Sequence, residues 1–179
     1  MDFVAFDFET ANAKRNSACS LALTVVEDNY ITDRFYSLIN PQSDFFWRNV
    51  QIHGITADMV SNAPTFEQLW PHIAGIFRPD RLLVAHNATF DCSVLKQCLL
   101  SAVLDLPKFN VLDTVKTSRH FFADFPNHKL DTMCSQLDIK LDHHHNANDD
   151  ALACAEILLF QERKFGLEKL QPFIKSYPK

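Results

Sequence analysis

The chain opens with a short, almost entirely apolar run that ends in two acidic residues. Residues 3–8 read Phe-Val-Ala-Phe-Asp-Phe, and Glu9 follows them. A short run rich in aromatic side chains is typical of a buried β-strand. Because side chains two positions apart on a strand point the same way, Asp7 and Glu9 should share one face while Phe6 and Phe8 pack on the other. The run therefore predicts a core strand that carries two carboxylates at its C-terminal end.

The remaining sequence alternates strand-like and helix-like segments. Further strands are predicted at residues 19–26, 30–39, 81–85 and 109–112, and helices at 56–61, 65–77, 91–102, 113–121, 130–137, 149–164 and 167–174. Pro41 should begin a loop that runs to Ile55, and Pro71 should kink or interrupt its helix. The short connection at 27–29 favours an antiparallel hairpin, which makes the predicted sheet mixed. This pattern indicates the α/β class and a single domain over residues 1–179.

Composition narrows the classes of protein to consider. The chain has 179 residues, 47% of them hydrophobic, which is enough for one sizeable core. Its formal net charge is -5, so contacts with a polyanion would have to be local. Five cysteines without a C-x-x-C pair argue against a disulfide framework or a zinc site. The N-terminus lacks a signal-peptide pattern and no stretch resembles a membrane span, so we expect no membrane association and a cytoplasmic location.

Two further acidic residues occupy predicted helix starts. Asp91 falls in the first turn of the helix that follows the strand at 81–85. Asp150 falls in the first turn of the last long helix, for which Asn148 is the expected N-cap. In α/β sheets, strand ends and the helix starts beside them lie at one edge. We therefore expect these two carboxylates to converge with the pair at the end of the first strand.

A cluster of four carboxylates implies a bound cation. Like charges at close range repel, so an empty cluster would be strained and a cation-filled one relaxed. Hard oxygen ligands favour Mg²⁺ or Mn²⁺ over zinc. His145 lies five residues before Asp150 in a polar loop, a position from which its imidazole could reach over the metal and act as a general base.

Three segments together resemble the motifs of one nuclease superfamily. They are FDFET at 6–10, HNATFD at 86–91 and HNANDDA at 145–151, and they are similar to the three exonuclease motifs of the DEDDh 3′-to-5′ exonuclease superfamily. A fourth segment, IHGIT at 52–56, resembles the branch that contains the epsilon proofreading subunit of bacterial replicative DNA polymerase. The resemblance runs from residue 3 to about residue 160. It implies a ribonuclease-H-like three-layer α/β/α fold with a mixed five-stranded sheet.

The resemblance also assigns roles to the acidic residues and the histidine. It makes Asp7, Glu9, Asp91 and Asp150 the metal ligands and, together with His145 as the base, the catalytic residues. The implied cofactor is Mg²⁺ or Mn²⁺, with two ions per active site. One ion would be held by Asp7, Glu9 and Asp150, and the second by Asp7 and, through water, by Asp91.

A substrate-binding set follows from the same resemblance. Thr10 and Ala11 would line the terminal-nucleotide pocket, His53 would contact the bound nucleotide, and Phe90 would pack near the strand end. The residues by themselves leave alternatives open, because His53 could equally be a loop histidine bonded to backbone and Phe90 a core residue. Six basic side chains are either phosphate contacts or scattered surface charge: Lys14, Arg15, Arg119, His120, His128 and Lys129.

These expectations together describe a metal-dependent 3′-to-5′ exonuclease. By the resemblance, it would hydrolyse phosphodiester bonds at the single-stranded or frayed 3′ end of DNA and release nucleoside 5′-monophosphates. An RNA-trimming exoribonuclease of the same superfamily stays open, because the catalytic residues do not read the 2′-hydroxyl. So does a non-catalytic nucleic-acid-binding module on this scaffold. The similarity to the epsilon subunit suggests a DNA polymerase as a partner.

Overall fold

A mixed sheet forms the centre of the chain in the computed structural model, which describes residues 1–178. Its strands are β1 (Phe3–Thr10), β2 (Ala18–Glu27), β3 (Tyr30–Leu38), β4 (Leu82–Ala85), β5 (Phe109–Asp113) and β6 (Lys175–Tyr177). They lie in the order β3-β2-β1-β4-β5-β6. Strand β1 pairs antiparallel with β2 and parallel with β4, so the first strand is interior to a mixed sheet, as predicted.

Helices cover both faces of this sheet. They are α1 (Trp47–His53), α2 (Ala57–Val60), α3 (Phe66–Ile73), α4 (Ala88–Ser101), α5 (Thr114–Phe121), α6 (Leu130–Leu137), α7 (Ala147–Phe165) and α8 (Leu167–Leu170). Helices α3 and α4 pack on one face and α7 on the other, with α5 and α6 against α7. The predicted three-layer α/β/α arrangement is therefore confirmed. None of the helices within residues 1–178 combines the length and apolar character needed to span a bilayer.

Strand β1 contributes side chains to both layers. Val4, Phe6 and Phe8 belong to the buried cluster formed with α3 and α4. Phe3 and Ala5 belong to the cluster formed with α7. This alternation is the one predicted from the sequence, and it places the odd-numbered side chains, including both acids of β1, on the side of α7.

The sheet has six strands within residues 1–178, so the expected number of five was wrong by one. The predicted helix at 167–174 is α8 followed by a 3₁₀ turn at Gln171–Phe173, after which the chain forms β6. Strand β6 pairs antiparallel with β5, and Tyr177 stacks on Phe109 with 4.6 Å between ring centroids. A three-residue strand is too short to show a period-2 pattern, so the sequence does not reveal it.

Helix α1 lies where a loop was expected from Pro41 to Ile55. None of its residues is buried, so its sequence carries no apolar periodicity. It ends before Gly54, whose φ of 74° is in the left-handed region that favours glycine. The expected effect of Pro71 is found in a mild form: α3 continues past it to Ile73 and then tightens into a 3₁₀ turn.

Candidate active site

Asp7 and Glu9 lie at the C-terminal end of β1, where the regular ladder ends. Asp7 is opposite Ala22 and Glu9 is opposite Ser20 on β2, and a β-bulge follows between Glu9 and Thr10. Bulges at strand ends re-aim side chains and are frequent beside active sites. Both acids are only partly exposed. The predicted pair therefore occupies one side of β1 at the end of the sheet.

Small side chains allow α7 to approach the sheet next to Asp7. Ala147 and Ala151 of α7 pack against Ala22, the residue of β2 that lies across from Asp7. Because an alanine side chain is a single methyl group, the helix and sheet backbones can come close together here. The first turns of α7 therefore bring Asp150, which is 5% exposed, to the carboxylates of β1.

The N-cap of α7 is Asn146, so the prediction of Asn148 was wrong. The Asn146 side chain accepts a hydrogen bond from the Asn148 N–H at 3.1 Å. Both residues are good capping types, and the sequence pattern alone does not distinguish them. Just before the helix, the His145 N–H donates to Oδ2 of Asp150 at 3.0 Å. This bond holds the carboxylate against the loop that carries the histidine.

Asp91 reaches the same point from the other face of the sheet. Helix α4 begins after Asn87, whose φ of 75° is in the left-handed region. Asp91 lies in the first turn of α4, is 1% exposed, and accepts a hydrogen bond from the Phe8 N–H at 3.0 Å. Since Phe8 lies between Asp7 and Glu9, this bond ties the start of α4 to the acidic end of β1.

The acidic side chains form a set of oxygen ligands that fits a divalent cation. Ligand oxygens of Asp7, Glu9 and Asp150 all lie within 4.8 Å of one another. Within residues 1–178, the Oδ1 atom of Asp150 is buried without a hydrogen-bond partner. A buried acceptor is costly to leave unpaired, so an unpartnered one indicates an ion or water at that point. Carboxylate oxygens are the ligands that hard divalent cations prefer.

Burial and mutual repulsion hold protons on these acids when no cation is bound. Burial raises the pKa of Asp7 well above its usual value, and repulsion from Asp91, Glu9 and Asp150 raises it further. Burial, followed by the neighbouring carboxylates, raises the pKa of Glu9 to about 8. Burial likewise raises the pKa of Asp91 to about 8 and that of Asp150 to about 7. A bound cation would relieve this strain because opposite charge favours the carboxylate form.

His145 lies beside this cluster, with a backbone φ of 66° in the left-handed region. Its ring stacks on His144 with 3.9 Å between centroids. Ligand atoms of these two histidines and of Asp150 lie within 4.8 Å of one another. Burial, followed by the charge of His144, lowers the pKa of His145. Its imidazole is therefore neutral at neutral pH and able to accept a proton.

A cleft of about 1000 Å³ opens over the acids. Asp7, Glu9, Asp150 and His145 line it, whereas Asp91 is buried behind them. The structure thus brings the five predicted catalytic residues together at one end of the sheet. We call this depression the acidic cleft.

Basic side chains from α5 and the segment before α6 also line the acidic cleft. They are Lys116, Arg119, His128 and Lys129. Three of these were predicted as candidate phosphate contacts. Lys14, Arg15 and His120, which were predicted with them, are not among the lining residues that the structure describes.

Phe90 lines the acidic cleft near the start of α4. The guanidinium of Arg15 lies over its ring, 4.2 Å from the centroid. Phe90 also packs against the core cluster formed with α3 and α4. It therefore has the packing role considered in the sequence analysis and also faces the cleft, while its contact with substrate stays a prediction.

The other three predicted substrate-binding residues lie where β1 meets α1. The Thr10 carbonyl accepts hydrogen bonds from the Asn49 side chain at 2.8 Å and from Nε2 of His53 at 3.2 Å. Nδ1 of His53 accepts from the Ile55 N–H at 3.0 Å. Both ring nitrogens of His53 are thus bonded to backbone, as in the alternative raised for it. Ala11 is fully buried, and the nucleotide contacts of these residues stay predictions.

Two residues at the site were missed by the sequence analysis. Asn49 fastens α1 to the end of β1 and lies in the helix that the sequence does not reveal. Lys116 lines the cleft and lies 3.8 Å from Asp113. A signal for Lys116 did exist, because it falls in the first turn of a helix that directly follows a parallel strand, and such helix starts face the ligand side of α/β sheets.

A six-stranded mixed sheet between helical layers, with an acidic centre at the strand ends, defines a ribonuclease-H-like α/β domain. The sequence profile of the exonuclease family named RNase_T matches residues 4–158. The chain therefore belongs to this exonuclease family, as the motif resemblance predicted.

The curated relatives are much longer proteins, and this chain matches only a part of each. The PolC-type DNA polymerase III of Caldanaerobacter subterraneus subsp. tengcongensis is 36% identical over 178 residues, which cover 98% of this chain and 12% of that protein. The 3′-5′ exonuclease DinG of Bacillus subtilis is 34% identical over 160 residues, which cover 88% of this chain and 17% of that protein. The chain thus spans about an eighth of the length of the polymerase relatives it matches.

Solved structures share the fold at lower identity. Exonuclease X in complex with 5′-overhanging duplex DNA superposes with a TM-score of 0.74 at 21% identity, covering 96% of this chain and 98% of that one. The nuclease domain of 3′hExo, a DEDDh family member bound to rAMP, gives a TM-score of 0.78 at 18% identity, covering 92% of both chains. These similarities support the fold assignment.

Proposed function

We propose that this chain is a metal-dependent 3′-to-5′ exonuclease that acts on a single-stranded or frayed 3′ end of DNA and releases nucleoside 5′-monophosphates. The observation that carries the proposal is the convergence of Asp7, Glu9 and Asp150 within 4.8 Å, beside Asp91 and His145, in a chain of the exonuclease family. The proposed unit is one catalytic domain formed by residues 1–179.

Four carboxylates would hold two divalent cations, Mg²⁺ or Mn²⁺: Asp7, Glu9, Asp91 and Asp150. When bound, such cations neutralise the phosphodiester charge and acidify a water molecule. Asp150 is suited to its part because one oxygen is fixed by the His145 N–H and the other is unpartnered. Asp91 is held in place by the Phe8 N–H and is buried behind the other acids.

His145 is the proposed general base. Its lowered pKa keeps the imidazole unprotonated at neutral pH, and a ring nitrogen lies within 4.8 Å of a carboxylate oxygen of Asp150. It would accept the proton of the attacking water as the bond between phosphorus and the 3′ oxygen breaks, and the 3′ oxygen would take a proton from solvent to become the new 3′-hydroxyl of the shortened strand. No covalent bond between the enzyme and the nucleotide is required, because water attacks phosphorus directly.

The curated relatives favour DNA as the substrate. They include PolC-type DNA polymerases III and a protein named 3′-5′ exonuclease, and these names also support the proposed direction. A DNA polymerase is the proposed partner on the same ground, and a cytoplasmic location is proposed with it. The structural neighbour bound to rAMP keeps RNA as the second candidate substrate. Incubating DNA and RNA strands of the same base sequence with the protein separates the two.

The adjacent acids Asp149 and Asp150 provide a matched test of catalysis. Asp150 faces the other carboxylates, whereas Asp149 faces Arg34 at 3.8 Å and His143 at 3.0 Å. A 5′-labelled oligonucleotide should be shortened one nucleotide at a time in Mg²⁺ or Mn²⁺ and remain intact with chelator. Asp150→Asn should abolish the ladder and Asp149→Asn should preserve it.

The same assay tests the non-catalytic alternative. If the wild-type protein shifts the oligonucleotide in a binding assay but produces no metal-dependent ladder, the chain is a binding module and the proposed function is wrong. A label at the 3′ end provides the direction, because a 3′-to-5′ enzyme releases it in the first cleavage as a mononucleotide.

A further inference from the structure

A second depression adjoins the acidic cleft on the side of β6. It has a volume of about 460 Å³ and lies between α4, β5 and the segment that forms β6. Thr89, Asp113 and Lys116 line both the cleft and this depression, so the two are adjacent. We call it the lysine groove, after the three lysines that line it: Lys96, Lys116 and Lys175.

The floor of the lysine groove is apolar and firmly held. Val111 of β5 and Phe173 and Tyr177 of the C-terminal segment contribute to it. Tyr177 stacks on Phe109 at 4.6 Å, and its hydroxyl donates a hydrogen bond to the Cys92 carbonyl at 3.2 Å. Fixed aromatic and aliphatic surface of this kind suits the flat faces of bases and the carbon atoms of sugars.

The rim of the lysine groove is cationic in a chain whose net charge is -5. Lys116 lies 3.8 Å from Asp113, whose other oxygen accepts two backbone hydrogen bonds. Lys96 and Lys175 are exposed and, within residues 1–178, neither forms an ion pair with a carboxylate. Nζ of Lys175 donates one hydrogen bond to the Pro172 carbonyl at 2.9 Å, which leaves two of its three N–H donors for an anionic ligand.

We propose that the lysine groove binds the sugar-phosphate backbone of the strand next to the terminal nucleotide held in the acidic cleft. The inference rests on the proposed function, and it adds a site outside the catalytic residues. A polynucleotide supplies what the groove complements: phosphates for Lys96 and Lys175, and sugars and bases for the apolar floor. Because the two depressions share Lys116 in their linings, one strand could occupy both at once.

The test compares a short substrate with a long one in the Lys96→Ala/Lys175→Ala double variant. Lys116 is left unchanged because it also lines the acidic cleft. The short substrate is p-nitrophenyl thymidine 5′-phosphate, which fills only the cleft, and the long one is a 12-nucleotide oligothymidylate. The control is Arg78→Ala, which removes one exposed cation at the opposite end of β4, where Arg78 pairs with Asp80 at 3.0 Å.

We expect the double variant to raise KM for the 12-mer about tenfold at low salt, with kcat unchanged and both constants for the ester unchanged. The slope of log KM against log salt should fall by about 0.7 for each lysine removed, because each phosphate contact on a single strand releases counterions. Arg78→Ala should leave KM and slope at wild-type values. A 12-mer of oligouridylate repeats the measurement for RNA.

Two results for the double variant would contradict strand binding in the lysine groove. One is a KM and a salt slope for the 12-mer equal to those of the wild type. The other is an equal loss of kcat/KM on the ester and on the 12-mer. Failure of the proposed function would look different, because wild-type protein would then turn over neither substrate. In that case fluorescence anisotropy of labelled 12-mer in Ca²⁺ decides the groove. A Kd raised about tenfold by the double variant supports it, and an unchanged Kd refutes it.

Discussion

Charged residues gather at both ends of the central strands, but the two clusters are built in opposite ways. At the N-terminal end of β1 and β4, Asp2, Arg78 and Asp80 are exposed and each has a polar partner. Arg78 pairs with Asp80 at 3.0 Å, and the Asp2 carboxylate accepts a hydrogen bond from the Asp28 N–H at 2.8 Å. An exposed ion pair such as Arg78–Asp80 stabilises a fold by roughly 0–1 kcal/mol.

At the C-terminal end of these strands, the acidic side chains are buried or partly buried and lie close to one another. Within residues 1–178, none of Asp7, Glu9, Asp91 and Asp150 has a salt-bridge partner. Buried like charges cost stability, and a fold gains nothing from them by itself. The two clusters therefore differ in what they do for the protein. The buried acids lower the stability of the metal-free fold, and only their arrangement would be completed by a bound cation.

The largest expected difference between the two ends is in catalysis. Asp7→Ala removes the acid that faces the other three, and its rate on an end-labelled oligonucleotide should fall by at least about a thousandfold, because bound metal contributes several kcal/mol to the transition state. Asp80→Ala, at the opposite end, should keep the wild-type rate. Comparable rates for the two variants would remove the basis for separating the clusters.

The histidines beside the acids offer the next contrast. His145→Gln should reduce kcat by about a hundredfold or more, since loss of a general base costs about that much, and metal binding measured by calorimetry should persist. His143→Gln is the control, because His143 is exposed and contacts Asp149 at 3.0 Å outside the cleft. If His143→Gln proved as damaging as His145→Gln, the role of base would have to be reassigned.

The contact between Ala22 of β2 and the two alanines of α7 should matter more to activity than to folding. Ala22→Val keeps strand propensity but inserts two methyl groups against Ala147 and Ala151, which pushes the start of α7 away from β1. We expect kcat to fall about tenfold because small misplacements of catalytic groups are costly, with a loss of about 1–3 kcal/mol in unfolding free energy from overpacking. Ala57→Val, an equal enlargement at an exposed position of α2, should change neither quantity noticeably.

The acidic centre could be predicted from the sequence because the order and spacing of its parts agree, although each part alone is a weak signal. A period of two in an aromatic run fixes the side on which Asp7 and Glu9 lie, and helix starts after strand-like segments locate Asp91 and Asp150. The order of elements then brings these ends to one edge of the sheet. Global arrangement and local pattern agree here, which is why the prediction of α/β layers was confirmed.

Other features depend on tertiary contacts that produce no periodic pattern in the sequence. Helix α1 buries none of its own residues and is fastened to β1 through Asn49 and His53, so its pattern looks like a loop. Strand β6 forms because Tyr177 pairs with Phe109 of β5 and stacks on its ring, and these two residues are 68 positions apart in the sequence. The lysine groove arises from the same docking. Such features are properties of tertiary contact and not of local sequence.

The smallest expected effect is on stability, and its sign depends on pH. Burial raises the folded-state pKa of Asp150 from its usual value of about 4 to about 7. A raised carboxyl pKa contributes stability that is fully present below about pH 4 and is lost as pH rises through 7. In chelator, the wild-type protein should therefore be less stable at pH 8 than at pH 5. Asp150→Asn removes this loss and should raise Tm at pH 8 by roughly 4–8 °C, corresponding to about 2 kcal/mol.

Saturating Mg²⁺ should invert that order, because the cation stabilises the wild-type carboxylates while asparagine is a poorer ligand for it. Asp80→Asn provides the reference, since loss of an exposed pair should move Tm by no more than about 4 °C at either pH. Differential scanning calorimetry in chelator and in Mg²⁺, at pH 5 and pH 8, measures all of these terms. A lower Tm for Asp150→Asn than for wild type in chelator at pH 8 would mean that Asp150 is a structural acid, and the contrast between the two ends of the sheet would then be lost.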